Sequence, residues 1–191
     1  MKKLTTIAAA ILLLAGGTTH AQTLSPRLYG TLSTGLENPY GAVGGNLELC
    51  LAGKVSVAAG AGISLWGMKY AGEAKYYFNN SGRGWAIGAG ISHSRGMSGY
   101  DIEVEDAAGK RSVDMILKPV SNVYGAVYRY WKLGKGNNRF HLQAGYSARL
   151  SDTYYTFNET YIPTKSEQSF LRSMSPGGLM FAAGFSFALS K

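Results

Sequence analysis

The side chains of this 191-residue chain that could do chemistry are few and scattered. His93, in the stretch "SHSR", has a serine on each side, the residue types of a nucleophile and its general base. In an extended chain successive side chains point to opposite faces, so Ser92 and Ser94 turn away from His93 and neither readily shares its hydrogen bond. Cys50 and His141 are too few for a zinc site. The glycines of "GAGISLW" and "GAGISHS" lack the third glycine and following helix of a dinucleotide-binding loop, and "GKG" reads as a turn. No metal and no cofactor is expected. What remains is a set of ionisable residues, Glu48, Glu73, Lys75, Arg129, His141 and Arg149. Such a set could form an ion path or gate, or it could pair into a fixed polar plug. Which of these it forms depends on where the chain places its faces.

The first 21 residues place it in an exported protein. Lys2 and Lys3 precede the apolar run "IAAAILLLA", and "THA" ends in a small residue before Gln22, the pattern of a secretory signal peptide. The run is too short to span a bilayer, and no cysteine follows for a lipid anchor. The expected domains are therefore residues 1–21, a signal peptide that carries His20 away with it, and residues 22–191, one β-barrel. Loss of Lys2 and Lys3 lowers the formal charge from +8 to +6. A lone cysteine, Cys50, excludes an internal disulfide scaffold despite the oxidising compartment. No later apolar run approaches the roughly 20 residues of a membrane helix.

Period two organises everything after the signal. Eight segments each have one apolar or aromatic face. The first four are Leu28, Leu32, Leu36; Leu47, Leu49, Leu51; Val55 through Leu65; and Tyr70, Ala74, Tyr76, Phe78. The others are Trp85, Ile87, Ala89, Ile91; Tyr124, Ala126, Tyr128, Tyr130; Phe140 through Leu150; and Leu179 through Leu189. Most approach the 9–11 residues, or about that, of a tilted membrane-spanning strand. Short Gly- and Asn-rich turns at 52–54, 79–84 and 132–138 alternate with "ENPYG", "WGMK" and two long insertions, about 95–119 and 151–174. Antiparallel partners have a constant sum of residue numbers, and sums of 79, 135 and 327 bring apolar faces together. They pair Leu32 with Leu47, Leu65 with Tyr70, Val57 with Phe78, and Phe140 with Phe187. A sum of 215 pairs Ile102 with Val113, Ile91 with Tyr124 and Trp85 with Tyr130, and would carry the barrel wall up through the first insertion.

The opposite faces hold Asn46, Glu48, Ser56, Glu73, Lys75, Tyr77, Arg129, His141, Gln143 and Arg149. In an otherwise apolar core each unpaired charge would cost several kcal/mol, and Leu and Phe turned to water would gain nothing. The polar face therefore lines the lumen and Val55, Val57, Ile63 and Leu65 face lipid. The fold class is all-β, an eight-stranded antiparallel up-and-down transmembrane β-barrel. Eight strands leave an interior that side chains can fill, so the lumen network of Glu48, Glu73, Lys75, Arg129, His141 and Arg149 is expected to plug it. Aromatics at Phe78, Trp85, Tyr130, Trp131 and Phe140 mark the short-turn rim, and Tyr40, Trp66, Tyr70 and Tyr124 the other.

These features resemble the small outer-membrane β-barrel family, with the transmembrane domain of outer-membrane protein A and the X-type and opacity-type barrels. The terminal stretch "GFSFALSK", with Gly184, Phe187 and Leu189, is similar to the signal read by the barrel-insertion machinery. The resemblance implies the outer membrane of a Gram-negative cell and contact with lipid and lipopolysaccharide. It also implies short turns on the periplasmic side. Some barrels of this size modify lipid A, but where the lipid A deacylase motif is His-x-Ser, this chain has Arg95 after Ser94. The chain is read as not an enzyme.

Loops on a rigid scaffold usually carry function. In "GYDIEVEDAAGKRSVDMILK" the alternation resumes, and Tyr100, Asp101, Ile102, Glu103 and Val104 form the first half of a hairpin that could pair by its edge with a protein partner, as X-type barrels are thought to do. The last insertion offers Tyr154, Tyr155, Phe157 and Tyr161, a composition suited to protein or glycan. The positive charge is dispersed and fits anionic lipid phosphates rather than nucleic acid. The expected role is envelope-structural or in surface interaction and adhesion. A narrow pore and a lipid A-modifying enzyme are the alternatives.

Overall fold

A computed structural model describes residues 28–52, 54–80, 82–106, 109–151, 153–157 and 175–190, with the backbone alone for 52, 100–106, 109–113 and 157. The expected signal peptide, the start of the mature chain and Tyr161 lie outside the described residues. The strands are β1 (Leu28–Leu36), β2 (Val43–Ala52), β3 (Val55–Ser64), β4 (Gly67–Tyr77), β5 (Gly84–Ser94), β6 (Met97–Asp106), β7 (Gly109–Leu117), β8 (Val120–Lys132), β9 (Arg139–Arg149), β10 (Tyr155–Phe157) and β11 (Gly178–Ala188). Eight of them close into an antiparallel barrel in the order β1-β11-β9-β8-β5-β4-β3-β2, so no barrel strand has a free edge.

Alternation sets the faces. Leu32, Leu47, Ile63, Ile91 and Phe181 are each more than half exposed on the outside, and Val55, Val57 and Leu65 share that surface, while Ser56, Glu48, Lys75 and Gln143 are buried inside. Water does not stabilise a belt of this kind, because every large apolar side chain on it stays unburied.

The registers differ from those that apolar matching predicts. β1 and β2 pair at a sum of 77, Gly30 opposite Leu47, and β9 and β11 at 325, Phe140 opposite Phe185. β3 and β4 pair at 131, with Ile63 opposite Met68. These shifts are even, so they slide strands without exchanging faces. The last has a local cause. The turn contains only Leu65 and Trp66, with Gly67 at φ +82° and the Ser64 hydroxyl donating to the Gly67 carbonyl at 2.9 Å. A shorter turn moves the whole ladder.

One shift is odd and corrects a face. β5 and β8 pair at 214, which sets Ile91 opposite Val123 and Trp85 opposite Arg129. Tyr124, Ala126, Tyr128 and Tyr130 therefore point into the lumen, where all are buried, and Val123, Val127 and Trp131 point out. Arg129, expected in the lumen, lies on the outer surface against Trp85 and Trp131. Both faces of β8 are apolar enough to pass for the outer one. The inward face carries Tyr128, whose hydroxyl donates to Glu73, which valine cannot do.

The first long insertion does not continue the barrel wall. β6 and β7 form a hairpin with Ile102 opposite Val113, as expected, but it belongs to a separate three-stranded sheet of order β10-β7-β6. The ladder breaks at Gly96, whose φ is +79° and where a Cβ would sit 2.2 Å from the Leu117 carbonyl oxygen, and at Pro119. Trp66, Met115, Leu117 and Val120 bury together where this sheet meets the barrel, with Tyr154 and Tyr155 packed against them.

Candidate functional site

Among the described residues, buried side chains pack the lumen in two clusters, one toward each end. At the short-turn end Tyr29, Cys50, Tyr77, Tyr128 and Tyr130 pack into one cluster. β4 contributes Glu73 and Lys75, two residues apart and hence on one face, and β2 contributes Glu48 across from them. The Lys75 ammonium lies 3.0 Å from Glu48 Oε2 and 3.0 Å from Glu73 Oε1. Arg139, the first residue of β9, places Nη2 2.9 Å from Glu48 Oε2 and donates through Nη1 to the Gly82 carbonyl at 2.9 Å. Its guanidinium also lies 3.7 Å from the centre of the Tyr29 ring and 4.4 Å from that of Tyr130. Two carboxylates thus face two cations, and the cluster is neutral as a whole.

Hydroxyls add to its coordination. Tyr77 donates to Glu48 Oε1 and Tyr128 to Glu73 Oε2. Tyr40, from the β1–β2 loop, reaches down into the barrel and donates to Glu73 Oε1 at 2.7 Å. Asn38 of the same loop donates to the Ser33 hydroxyl at 3.0 Å, so this loop turns inward and caps the lumen. Above it Glu37 holds Lys69 at 3.2 Å and the Gly177 amide at 2.9 Å. Burial of charge is tolerable here because every charged group in the cluster has an opposite charge and a hydrogen-bond partner.

The structure thus brings together three of the six predicted lumen residues, Glu48, Glu73 and Lys75. Arg149 stands apart at the long-loop end, donating to the Ser175 hydroxyl at 2.7 Å and stacking over Tyr154. His141 is buried inside with its ring 5.1 Å from that of Tyr130, outside the ion-pair cluster. A Cβ at Gly184 would lie 2.5 Å from the His141 ring, so that glycine leaves room for it. The missing cation is Arg139. It shares parity with His141 and Gln143, which is the signal that finds it, but it follows the Gly- and Asn-rich turn and reads as part of that turn.

The predicted contact residues divide. Tyr100, Asp101, Ile102, Glu103 and Val104 are in β6, whose backbone pairs with β7 on one side only among the described residues. Tyr154 and Tyr155 pack on the Trp66 cluster instead of standing free, with Trp66 and Tyr154 ring centres 6.3 Å apart. The backbone of Phe157 ends β10, opposite Met115. Of the aromatics expected at the long-loop rim, Tyr70 faces out, but Tyr40 and Tyr124 fill the lumen and Trp66 is buried with its indole N–H donating to the Lys118 carbonyl at 2.9 Å. At the short-turn rim Phe78, Trp85, Trp131 and Phe140 are on the outside and Tyr130 is not.

His93 has a partner that alternation along its own strand does not reveal. Its Nδ1 lies 3.0 Å from the hydroxyl of Ser121, which is opposite it on β8. No carboxylate pairs with His93 among the described residues, so the dyad lacks the third group that would orient and charge the base. Among the described residues no group of three His, Cys, Asp or Glu is placed to hold a metal ion.

The fold is the all-β, closed, eight-stranded antiparallel barrel, with a polar filled interior and an apolar exterior. A search of solved structures finds similarity to the N-terminal β-barrel domain of Pseudomonas aeruginosa OprF, at 16% identity and a TM-score of 0.39, over 84% of this chain and 93% of that one. No protein-family model and no curated protein matches the chain.

Proposed function

We propose that this chain is an integral outer-membrane protein, exported by the segment at 1–21, whose plugged barrel is an anchor and whose projecting sheet binds a protein partner at the cell surface. The apolar belt supports the membrane reading. In lipid those side chains are in their preferred solvent, and closure of the ladder leaves no barrel strand edge to satisfy. The neutral ion-pair cluster supports a structural lumen, since an ion crossing it would have to break contacts of 2.9–3.0 Å in a water-poor interior. The chain is read as non-enzymatic, because the His93–Ser121 pair has no carboxylate beside it among the described residues.

The observation that carries the interaction role is the edge of β6. It is the outer strand of a sheet held above the barrel, and its backbone groups, unpaired on that side among the described residues, can take an added strand. Cells producing the intact chain should adhere to mucin- or serum-protein-coated surfaces better than cells producing a chain with residues 99–114 replaced by a short Gly-Ser turn. Both proteins should show heat-modifiable gel migration. Equal adhesion by two folded proteins would refute the role. Steady single-channel steps from the intact chain in planar bilayers would refute the plug and favour a narrow pore.

A further inference from the structure

On the outer surface Arg129 stands between two tryptophans at one end of an apolar groove. Pairing across five strands puts Thr34, Ala183, Leu142, Arg129 and Trp85 in a single transverse row. The next row toward the long-loop end holds Phe181, Ala144 and Val127. Because Ala183 and Ala144 are small between Leu142 and Phe181, the surface dips there into an open groove of about 650 Å³ that runs to Arg129 and Trp131. Nearly every atom along it is aliphatic or aromatic, apart from the guanidinium at one end.

Arg129 is held in place there. Its guanidinium lies 5.2 Å from the centre of the Trp85 ring and 5.6 Å from that of Trp131, within stacking range of both. It forms no ion pair among the described residues, although six other charged side chains, Glu37, Glu48, Lys69, Glu73, Lys75 and Arg139, are paired in the lumen and at its mouth. It lies three residues before the end of β8, at the short-turn rim where Lys132 and Lys135 are exposed. That depth is the boundary between acyl chains and head groups, which an arginine side chain can reach. With both rings within cation–π distance, the guanidinium still carries N–H groups along its planar edge, and that edge matches two oxygens of a phosphate.

From this geometry we infer that the β1-β11-β9-β8-β5 face is a binding site for one anionic glycerophospholipid of the inner leaflet, with its phosphate on Arg129 between Trp85 and Trp131 and one acyl chain along the Ala183–Ala144 groove. The inference rests on the membrane reading proposed above. Charge complementarity selects the occupant: a zwitterionic lipid brings its own cation to the phosphate, whereas phosphatidylglycerol brings none.

The test uses the full chain folded into phosphatidylcholine vesicles that contain a minor fraction of either brominated phosphatidylglycerol or brominated phosphatidylcholine. Bromine on the acyl chains quenches Trp85 and Trp131, and Trp66, buried at the other end, supplies a constant background. The intact chain should favour the anionic lipid about fivefold, the equivalent of ~1 kcal/mol. Arg129→Gln should bring the ratio to about one, and Arg129→Lys, which keeps charge but not the stacked fork, should give an intermediate value. Equal quenching by the two lipids in the intact chain, or an unchanged preference in Arg129→Gln, overturns the site. Should Arg129→Gln fail to insert, the intact chain and Arg129→Lys decide the matter by the same ratio. Heat-modifiable migration is read in parallel. An intact chain that does not insert overturns the membrane reading and the site together, whereas insertion without preference overturns the site alone.

Discussion

Replacing Glu48 by glutamine would separate a plugged lumen from a wet one. Glu48 and Arg139 side chains are each 1% exposed and Lys75 is 3% exposed, so water screens none of them. The amide still accepts from Tyr77 and still fills the space, but one of two negative charges is gone. Lys75 keeps Glu73 at 3.0 Å. Arg139 is left with the Gly82 carbonyl and three tyrosine rings, which are neutral. Breaking a buried pair from one side costs about 3–5 kcal/mol. The residual ring contacts offset part of this, so about 3 kcal/mol is expected. With a slope of about 2 kcal/mol per molar urea, the unfolding midpoint should fall by about 1.5 M. The assay follows folded and unfolded gel bands across a urea series in lipid vesicles. The double variant Glu48→Gln/Arg139→Met removes the orphaned cation and should return to within about 1 kcal/mol of the intact chain. A single-variant loss below about 0.5 kcal/mol, the range of an exposed substitution, would refute the plug and mean that solvent reaches Arg139.

Three further outcomes follow from the same arrangement. Leu47→Arg, at the middle of β2 on the outer face, should destabilise the folded barrel in vesicles by about 2–4 kcal/mol, where the same change on a water-facing strand would be close to neutral. Tyr40→Phe removes the loop's hydrogen bond to Glu73 and should cost about 1.5–3 kcal/mol. Amide exchange at Gly41, whose N–H bonds the Asn38 carbonyl, should accelerate with it, and an unchanged rate would mean the loop does not cap the lumen. At Gly60 a Cβ would sit 2.1 Å from the Gly45 carbonyl oxygen, so Gly60→Val should lose about 3 kcal/mol or more and leave little heat-modifiable form.

Period two made the barrel legible because a strand with an apolar face outside and a polar face in the lumen must alternate, and seven of the eight predicted segments alternate in the phase the structure adopts. It could not fix register. A slide of two residues keeps every face in place, and the amount of slide depends on turn chemistry such as that of Ser64 and Gly67, which hydrophobic matching does not weigh. β8 shows where the reasoning fails outright. Tyrosine belongs in a rim girdle by its ring and in a lumen by its hydroxyl, and in "VYGAVYRYW" both alternating sets are apolar enough to face lipid. The decision comes from charges on other strands. Glu73 needs Tyr128 as a donor, and Lys75 stacks on the same ring. Once Tyr128 turns inward, Arg129 must turn outward, and the cation that answers Glu48 has to come from another strand. Arg139 is that cation, ten residues further along at the start of β9, where it reads in sequence as the end of a turn.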